Sequence, residues 1–204
     1  MKKKIAVFAI LLAAFVTAGR AQESRQDISL SGTVLIPPFK ASSTDVQVHS
    51  NRGFGAMVSY RFMLTPTSAL EANYGITYKN KFDYYGPSFY KGIPVPARIQ
   101  EISGAYVRSF VFKNFNPFVE AGPAGIIFLP IVNSGLGTLD AKQQVEVGGM
   151  YGGGIAYEIS PSFDIRAEYR GLVTKVPTFG NSSQFTTNRW FNMYEPVIGV
   201  AYHF

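Results

Sequence analysis

Cysteine is absent from the 204-residue chain, and charged residues are scarce. The lack of cysteine excludes a disulfide framework, a thiolate metal site and a cysteine nucleophile. Asp, Glu, Lys and Arg together make up 16% of the chain, against about 25% in an average soluble domain. A Gly-X-Y repeat is also absent, which excludes a collagen-like chain. No apolar run after residue 21 reaches the length of about 20 residues that a membrane-spanning helix needs.

Aromatic residues, by contrast, are abundant. Phe, Trp and Tyr make up 15% of the chain, and hydrophobic residues make up 47%. This content excludes a disordered chain, because disordered segments contain too little apolar surface to form a core. The length fits one domain or at most two small ones.

The N-terminus has the pattern of a secretory signal peptide. Lys2 to Lys4 precede an unbroken apolar run from Ile5 to Val16, and small residues follow up to Ala21. A positive start, a short apolar stretch and a small-x-small exit are typical of a cleaved export signal. We therefore expect a signal peptide over residues 1–21 and a mature domain over residues 22–204. Because no cysteine follows the apolar run, we do not expect a lipoprotein anchor.

The basic balance of the chain belongs largely to this leader. Loss of four basic residues lowers the formal net charge from +6 to +2, and these are Lys2, Lys3, Lys4 and Arg20. A nucleic-acid binder needs a basic surface, so the charge of the mature chain predicts no nucleic-acid partner.

Period-two alternation dominates the mature chain. It is clearest in Arg52–Phe62, Ala69–Tyr78 and Phe163–Val173, where apolar Leu70, for example, is followed by Glu71. Successive side chains of a strand point to opposite faces, so this pattern predicts strands with one apolar and one polar face.

Five further segments show the same alternation less regularly, which brings the predicted number of strands to eight. Most are longer than the strands of globular proteins and match the roughly 9 to 11 residues of a tilted membrane-spanning strand. These segments are Asp27–Ile36, Arg98–Phe110, Pro117–Phe128, Val145–Ile159 and Arg189–Phe204.

The connections alternate regularly between long and short. Outer-membrane barrels combine short periplasmic turns with long extracellular loops, and only closed barrels let strands cross lipid. We therefore predict an all-β fold, an eight-stranded antiparallel up-and-down transmembrane β-barrel. The long connections are Pro37–Asn51, Lys79–Ala97, Leu129–Gln144 and Thr174–Asn188, and the short ones are Met63–Ser68, Val111–Asn116 and Ser160–Ser162.

If the apolar faces point to lipid, charged side chains point into the lumen. We name the predicted set the lumen charge network, and it consists of Arg61, Glu71, Glu101, Glu120, Glu146, Asp164, Arg166, Glu168, Arg170 and Glu195. An eight-stranded barrel is just wide enough for side chains to fill it, which favours a plug of paired charges. A gated ion path is the alternative. The missing side chains of Gly148, Gly152 and Gly154 would leave room for the arginines.

The signal peptide, the eight alternating strands and the ending Gly199-Val200-Ala201-Tyr202-His203-Phe204 resemble the small OmpA-like outer-membrane β-barrel proteins. The resemblance covers the whole mature chain. It implies a location in the outer membrane, contact with its lipid, and insertion by the barrel-assembly machinery. It also implies that Tyr202 and Phe204 form the assembly signal which that machinery recognises.

Catalytic and metal sites find little support in the sequence. The only histidines, His49 and His203, are expected at opposite ends of the barrel, so they cannot share a metal ion. The glycine-rich run Gly148–Gly154 is not followed by a helix, which argues against a phosphate-binding loop. We expect no catalytic, cofactor-binding or metal site. A rim-located enzyme that uses His49 with Ser42, Ser43 or Asp45 is a less favoured alternative.

The second long loop contains aromatic residues that we expect to be exposed: Tyr84, Tyr85, Phe89 and Tyr90. Exposed aromatic side chains suit contact with a partner or with lipopolysaccharide. The alternative is that they fold over the mouth of the barrel as a lid. The sequence thus predicts a monomeric outer-membrane barrel with a structural or surface-interaction role through its long loops. A small pore or transport conduit for ions or small molecules is the main alternative.

Overall fold

A computed structural model describes residues 25–38, 40–42, 46–87, 91–131, 141–180 and 186–204. The predicted signal peptide lies outside the described residues. No helix in the described part of the chain is long and apolar enough to cross a membrane. The ten strands are β1 (Gln26–Leu35), β2 (Lys40–Ser42), β3 (Gln47–Ser50), β4 (Gly53–Thr65), β5 (Ser68–Tyr85), β6 (Ile93–Ser109), β7 (Phe115–Pro130), β8 (Gln144–Ser160), β9 (Phe163–Lys175) and β10 (Trp190–His203).

Eight of these strands form a closed antiparallel barrel, which confirms the predicted fold class. Strands β4 to β10 pair in chain order, and β1 pairs with both β4 and β10. The last strand therefore closes on the first, with Leu30 opposite Val200. Closure leaves no free edge in the barrel, which strands in lipid require because lipid offers no hydrogen bonds.

The first long connection is more ordered than the sequence predicted. It contains β2 and β3, which pair with each other, and β3 pairs with the far end of β5. These short strands were missed because they span only three and four residues. Alternation cannot be recognised over so few positions.

The second long connection is shorter than predicted. Strand β5 continues to Tyr85 and β6 begins at Ile93, so that Tyr84 pairs with Ile93 beyond the predicted strand ends. A β-bulge between Thr77 and Asn80 interrupts the alternation at this point. An extra residue in one strand shifts the faces of all residues after it, which explains why the sequence pattern stopped at Tyr78.

The bulge level divides the barrel into two sections of opposite polarity. Between the short turns and the bulge, the outer surface is an apolar belt that includes Leu70 and Tyr74. The lumen of this section holds the buried charges and a small apolar cluster of Ala69, Val107, Phe118 and Ala156. We call the part beyond the bulge, on the side of the long connections, the outer section. There Lys81 is exposed on the outer surface, whereas Phe82 and Tyr84 are buried inside.

Apolar side chains fill the lumen of the outer section, and we call this cluster the apolar cap. Phe179, which follows β9, lies near its centre, with its ring centroid 5.8 Å from that of Phe82 and 6.3 Å from that of Phe128. The cap consists of Leu35, Val46, Val48, Phe82, Tyr84, Val95, Ala97, Ile99, Ala105, Ala124, Ile126, Phe128, Met150, Leu172, Val176, Phe179, Phe191 and Met193.

Candidate functional site

The buried charges of the lumen lie between the short turns and the apolar cap. Strand β9 sets their order along the barrel, because every second side chain of a strand points to the same face. From the short turns upwards, β9 contributes Asp164, Arg166, Glu168 and Arg170 to the lumen, and then Leu172 to the apolar cap.

Arg170 joins carboxylates from three other strands. Its guanidinium donates to Glu101 Oε1 on β6 at 2.6 Å and to Glu195 Oε2 on β10 at 2.9 Å. Its Nε lies 3.4 Å from Glu120 Oε1 on β7, and its Nη2 donates to Ser103 Oγ at 3.2 Å. Arg170 is 0% exposed. One planar cation therefore closes the centre of the lumen.

Arg166 forms a second cluster nearer the short turns. Its guanidinium makes a bidentate contact with Asp27 of β1, at 2.9 Å and 2.8 Å to the two carboxylate oxygens. Asp164 Oδ2 lies 3.3 Å from Arg166 Nη2, and Asp164 Oδ1 lies 2.7 Å from His203 Nε2. Bidentate arginine–carboxylate pairs fix both distance and orientation. This cluster links the first, ninth and tenth strands at the closing seam of the barrel.

Arg61 forms the third pair. Its Nε donates to Glu71 Oε2 at 2.7 Å, and both side chains are almost fully buried. The guanidinium carbon lies 4.8 Å from the ring centre of Phe118, which places the cation over an aromatic face.

Carboxylates outnumber guanidinium groups in this part of the described lumen. Glu120 is 4% exposed, and neither of its oxygens accepts a hydrogen bond from a described residue. The same holds for one oxygen of Glu168. Buried charge must be paired or hydrated. Hydration is therefore expected around these two side chains.

Glu146 differs from the other members of the predicted network. It is only half-buried, and its described hydrogen bond is with Gln144 on the same strand. It lies opposite Ile126, a residue of the apolar cap, rather than beside one of the three arginines. Glu146 therefore lies at the level of the apolar cap, apart from the three arginine clusters.

The glycines of β8 make room for the network. A Cβ atom at Gly152 would lie 3.0 Å from Glu120 Oε1 and 3.1 Å from Arg170 Cγ. A Cβ atom at Gly154 would lie 2.7 Å from Phe118 Cζ and 2.5 Å from a backbone oxygen. Side chains at these positions would displace the residues that fill the lumen.

A cavity of about 230 Å³ lies at the end with the short turns, and the Arg166 cluster lines it. Asp27, Arg61, Phe118 and His203 are also among its lining residues. The charge network is therefore approached from this end, whereas the apolar cap covers it at the other.

The predicted contact aromatics do not form an exposed group. Tyr84 lies on β5 and is buried in the apolar cap, where its hydroxyl donates to the Pro177 carbonyl oxygen at 2.6 Å. Its prediction as an exposed loop residue was wrong, because the strand continues past the bulge and turns this position inward. Tyr85 is half-buried, with its ring 5.0 Å from that of His49. Phe89 and Tyr90 lie outside the described residues.

The two histidines lie at opposite ends of the barrel, His49 on β3 and His203 at the end of β10. Within the described ranges, no group of three or more histidine or acidic side chains has a geometry that could hold a metal ion. Tyr202 and Phe204 stack with ring centroids 6.1 Å apart, and the Phe204 amide donates to the Gln26 carbonyl oxygen.

Two features of the lumen were missed from the sequence. Asp27 is the main partner of Arg166 but was not included in the predicted lumen charge network. Its position on the same face of β1 as Ser29 and Ser31 was a usable signal. The apolar cap was missed because apolar side chains were assigned to the lipid-facing surface throughout, whereas in the outer section they point inward. On β5 the bulge also exchanges the two faces.

The family model for the outer membrane protein beta-barrel domain matches residues 7–204 of the chain. A search of curated protein sequences gives no match.

Solved outer-membrane barrels share the fold at low sequence identity. Neisserial surface protein A (NspA) is 17% identical with a TM-score of 0.59, covering 89% of this chain and 98% of that chain. OprG from Pseudomonas aeruginosa is 11% identical with a TM-score of 0.61, covering 90% and 98%. Ail, the attachment invasion locus protein of Yersinia pestis, is 13% identical with a TM-score of 0.53, covering 90% and 100%.

Proposed function

Because this chain belongs to the outer membrane protein beta-barrel domain family and lies in the outer membrane, we propose that it is a closed structural barrel with a surface-contact role. In this proposal it acts as a monomer and carries out no catalysis. Its outer section, with the long connections, is the part that meets partners. The short turns and both ends of the described chain then face the periplasm, as is general for bacterial outer-membrane barrels.

The observation that supports a closed lumen is the succession of two barriers. Arg170 and its three glutamates occupy the middle of the barrel, and the apolar cap fills the outer section above them. An ion would have to displace a paired guanidinium and then cross an apolar layer, where an unpaired charge is very costly. Eight-stranded barrels have little interior space left once side chains fill them.

A non-catalytic role is supported by the separation of candidate groups. His49 lies beside Tyr85 near the outer rim, whereas His203 contacts Asp164 at the periplasmic mouth. A general base needs a nucleophile or substrate within hydrogen-bond reach. Of the residues considered for a rim-located enzyme, His49 lies on β3 and Ser42 on β2, while Ser43 and Asp45 lie outside the described residues.

A small pore or transport conduit is the second candidate. The periplasmic cavity favours it, because that cavity brings water as far as the Arg166 cluster. The carboxylates without a hydrogen-bond partner among the described residues, above all Glu120, would favour cations over anions in such a path. In the described structure the path would end at the apolar cap.

The aromatic residues at the end of the last strand have a proposed role in assembly. We propose that Tyr202 and Phe204 form the signal read by the barrel-assembly machinery, in keeping with the family. Both lie at the end of β10, the strand that closes against β1.

Single-channel conductance of the refolded mature protein in planar bilayers tests the closed lumen. We expect no stable conductance from the wild type. Circular dichroism of the same sample should show β-structure, which guards against a silent unfolded protein. A large, stable wild-type conductance would contradict the closed lumen and favour the pore.

A further inference from the structure

Basic residues of the mature chain concentrate on the outer section. Of the described side chains there, nine are basic: Lys40, Arg52, Lys79, Lys81, Lys91, Arg98, Lys142, Lys175 and Arg189. Only Asp83 and Glu146 oppose them among the described residues, while Asp45 and Asp140 lie in parts that are not described. This distribution is one-sided, although the formal charge of the mature chain is small.

Four of these residues form one patch on β5, β6 and the connection between β3 and β4. Asn80 pairs with Ala97, so Lys79 on β5 and Arg98 on β6 lie side by side. The Asn51 amide donates to the Lys81 carbonyl oxygen, which brings Arg52 beside β5 from the other side. We name Arg52, Lys79, Lys81 and Arg98 the basic patch.

The basic patch points outward and is accessible. Arg52, Lys79 and Lys81 are exposed, and Arg98 is half-buried. Lys81 is paired with Asp83 at 2.9 Å, and it is the only patch member with an acidic partner among the described residues.

The patch lies immediately beyond the apolar belt. Arg52 immediately precedes β4 and is two residues from Phe54, which corresponds to roughly 7 Å along an extended chain. Lys79 follows Tyr78 directly, and both Phe54 and Tyr78 are exposed aromatic residues of the belt. Aromatic girdles mark the boundary between hydrocarbon and headgroups. The four cations therefore lie at the level of the headgroups of the outer leaflet.

We propose that the basic patch binds the phosphate groups of lipids in the outer leaflet, with lipopolysaccharide as the phosphate-bearing occupant. A planar guanidinium and a flexible ammonium both bind phosphate oxygens well, and here the patch supplies two of each. The inference uses the membrane orientation of the proposed function but not its closed lumen, so a conducting wild type would leave it untouched.

Two double variants provide the test. Arg52→Gln with Lys79→Gln removes two charges from the patch, and Arg25→Gln with Lys113→Gln removes two charges from the periplasmic side. The variants have equal net charge. Lys79 and Lys113 both have a positive φ, 63° and 51°, so the backbone consequences of the substitutions are matched.

The measurement is the affinity of detergent-solubilised mature protein for bisphosphorylated lipid A, at low and at high salt. A basic residue near an anionic surface contributes about 1 kcal/mol, so the patch variant should bind roughly 30-fold more weakly than wild type. The periplasmic variant should bind as wild type does. Lipid A without phosphates should bind equally weakly to all three proteins. High salt should reduce the difference.

Equal lipid A affinity of the two double variants would overturn the proposal, and so would undiminished binding of dephosphorylated lipid A. Loss of heparin binding by the patch variant with unchanged lipid A binding would also overturn it, since the patch would then serve a soluble polyanion. Unchanged thermal unfolding of both variants in detergent establishes that the comparison is between folded proteins.

Discussion

Arg170 and Glu101 are 69 residues apart in the chain, yet Arg170 Nη2 donates to Glu101 Oε1 at 2.6 Å across the lumen. Two further glutamates contact the same guanidinium, so carboxylates from three strands share one cation. Its position makes Arg170 the residue whose loss should change the barrel most.

Substitution Arg170→Ala should strongly destabilise the barrel. Removal of one partner from a buried charge cluster leaves the others uncompensated, at a cost of about 3 to 5 kcal/mol. The measurement is the free energy of unfolding in urea. Lys175→Ala is the matched control, because Lys175 is a basic residue on the same strand but exposed on the outer surface. Equal effects of the two changes would argue against a buried cluster.

The contact between Arg166 and Asp27 should show strong coupling. A double-mutant cycle with Arg166→Gln and Asp27→Asn isolates the interaction of the pair from the effects of each change. We expect a coupling of about 1 to 3 kcal/mol for this buried bidentate pair. The exposed pair of Lys81 and Asp83 should give at most about 1 kcal/mol in the same measurement. A coupling near zero at Arg166 would show that Asp27 is not its partner.

Glycine positions on β8 should differ in how well they tolerate substitution by alanine, according to the face of the strand that they occupy. Gly154→Ala should lower the free energy of unfolding by about 1 to 3 kcal/mol, because the added methyl group must displace lumen atoms. Gly149→Ala on the same strand should be tolerated, since its nearest neighbour would be 3.7 Å away. Chemical denaturation of the two variants is the check. A greater loss for Gly149→Ala would reverse the assignment of the two faces.

The apolar cap and the Arg170 cluster should act as independent barriers. Phe128→Ala should destabilise the protein by about 3 to 5 kcal/mol through a cavity in the cap. On its own this variant should leave the lumen non-conducting, because the Arg170 cluster remains below the cap.

The double variant Phe128→Ala with Arg170→Ala should show measurable ion conductance in planar bilayers. Phe54→Ala, which changes an aromatic residue of the belt, serves as the control. Conductance from Phe128→Ala alone would show that the cap is the only barrier.

The mature protein should begin at Gln22. The intact mass of protein extracted from outer membranes should lack residues 1–21, whose pattern predicts a cleaved export signal. Retention of Lys2 to Lys4 in that material would refute the signal-peptide prediction.

Alternation was sufficient to predict the eight strands and most of the lumen charges. The assignment of faces is strongly constrained, because a shift by one residue would turn the charged side chains of a strand towards lipid. It could not predict which charges meet. The pairing of Arg166 with Asp27 depends on the closure of β10 against β1, and that closure is a property of the whole barrel.

The prediction for β5 failed beyond Tyr78 for a local reason. The bulge between Thr77 and Asn80 exchanges the inner and outer faces of β5, so Tyr84 lies inside and Lys81 outside. At the same level the surroundings change from lipid to water. The rule that apolar side chains face outward therefore holds only between the short turns and the level of the bulge. In the outer section apolar side chains face inward.

The apolar cap gives the two sides of the membrane unequal access to the lumen. Water and protons can reach Arg166 through the periplasmic cavity, while Phe82, Phe128 and Phe179 shield Arg170 from the cell exterior. In the proposed orientation, the ionisable interior of the described structure is in equilibrium with the periplasm rather than with the cell exterior. An acidic or salty surrounding medium would act on the surface of the barrel but would reach its charged centre only through the periplasm.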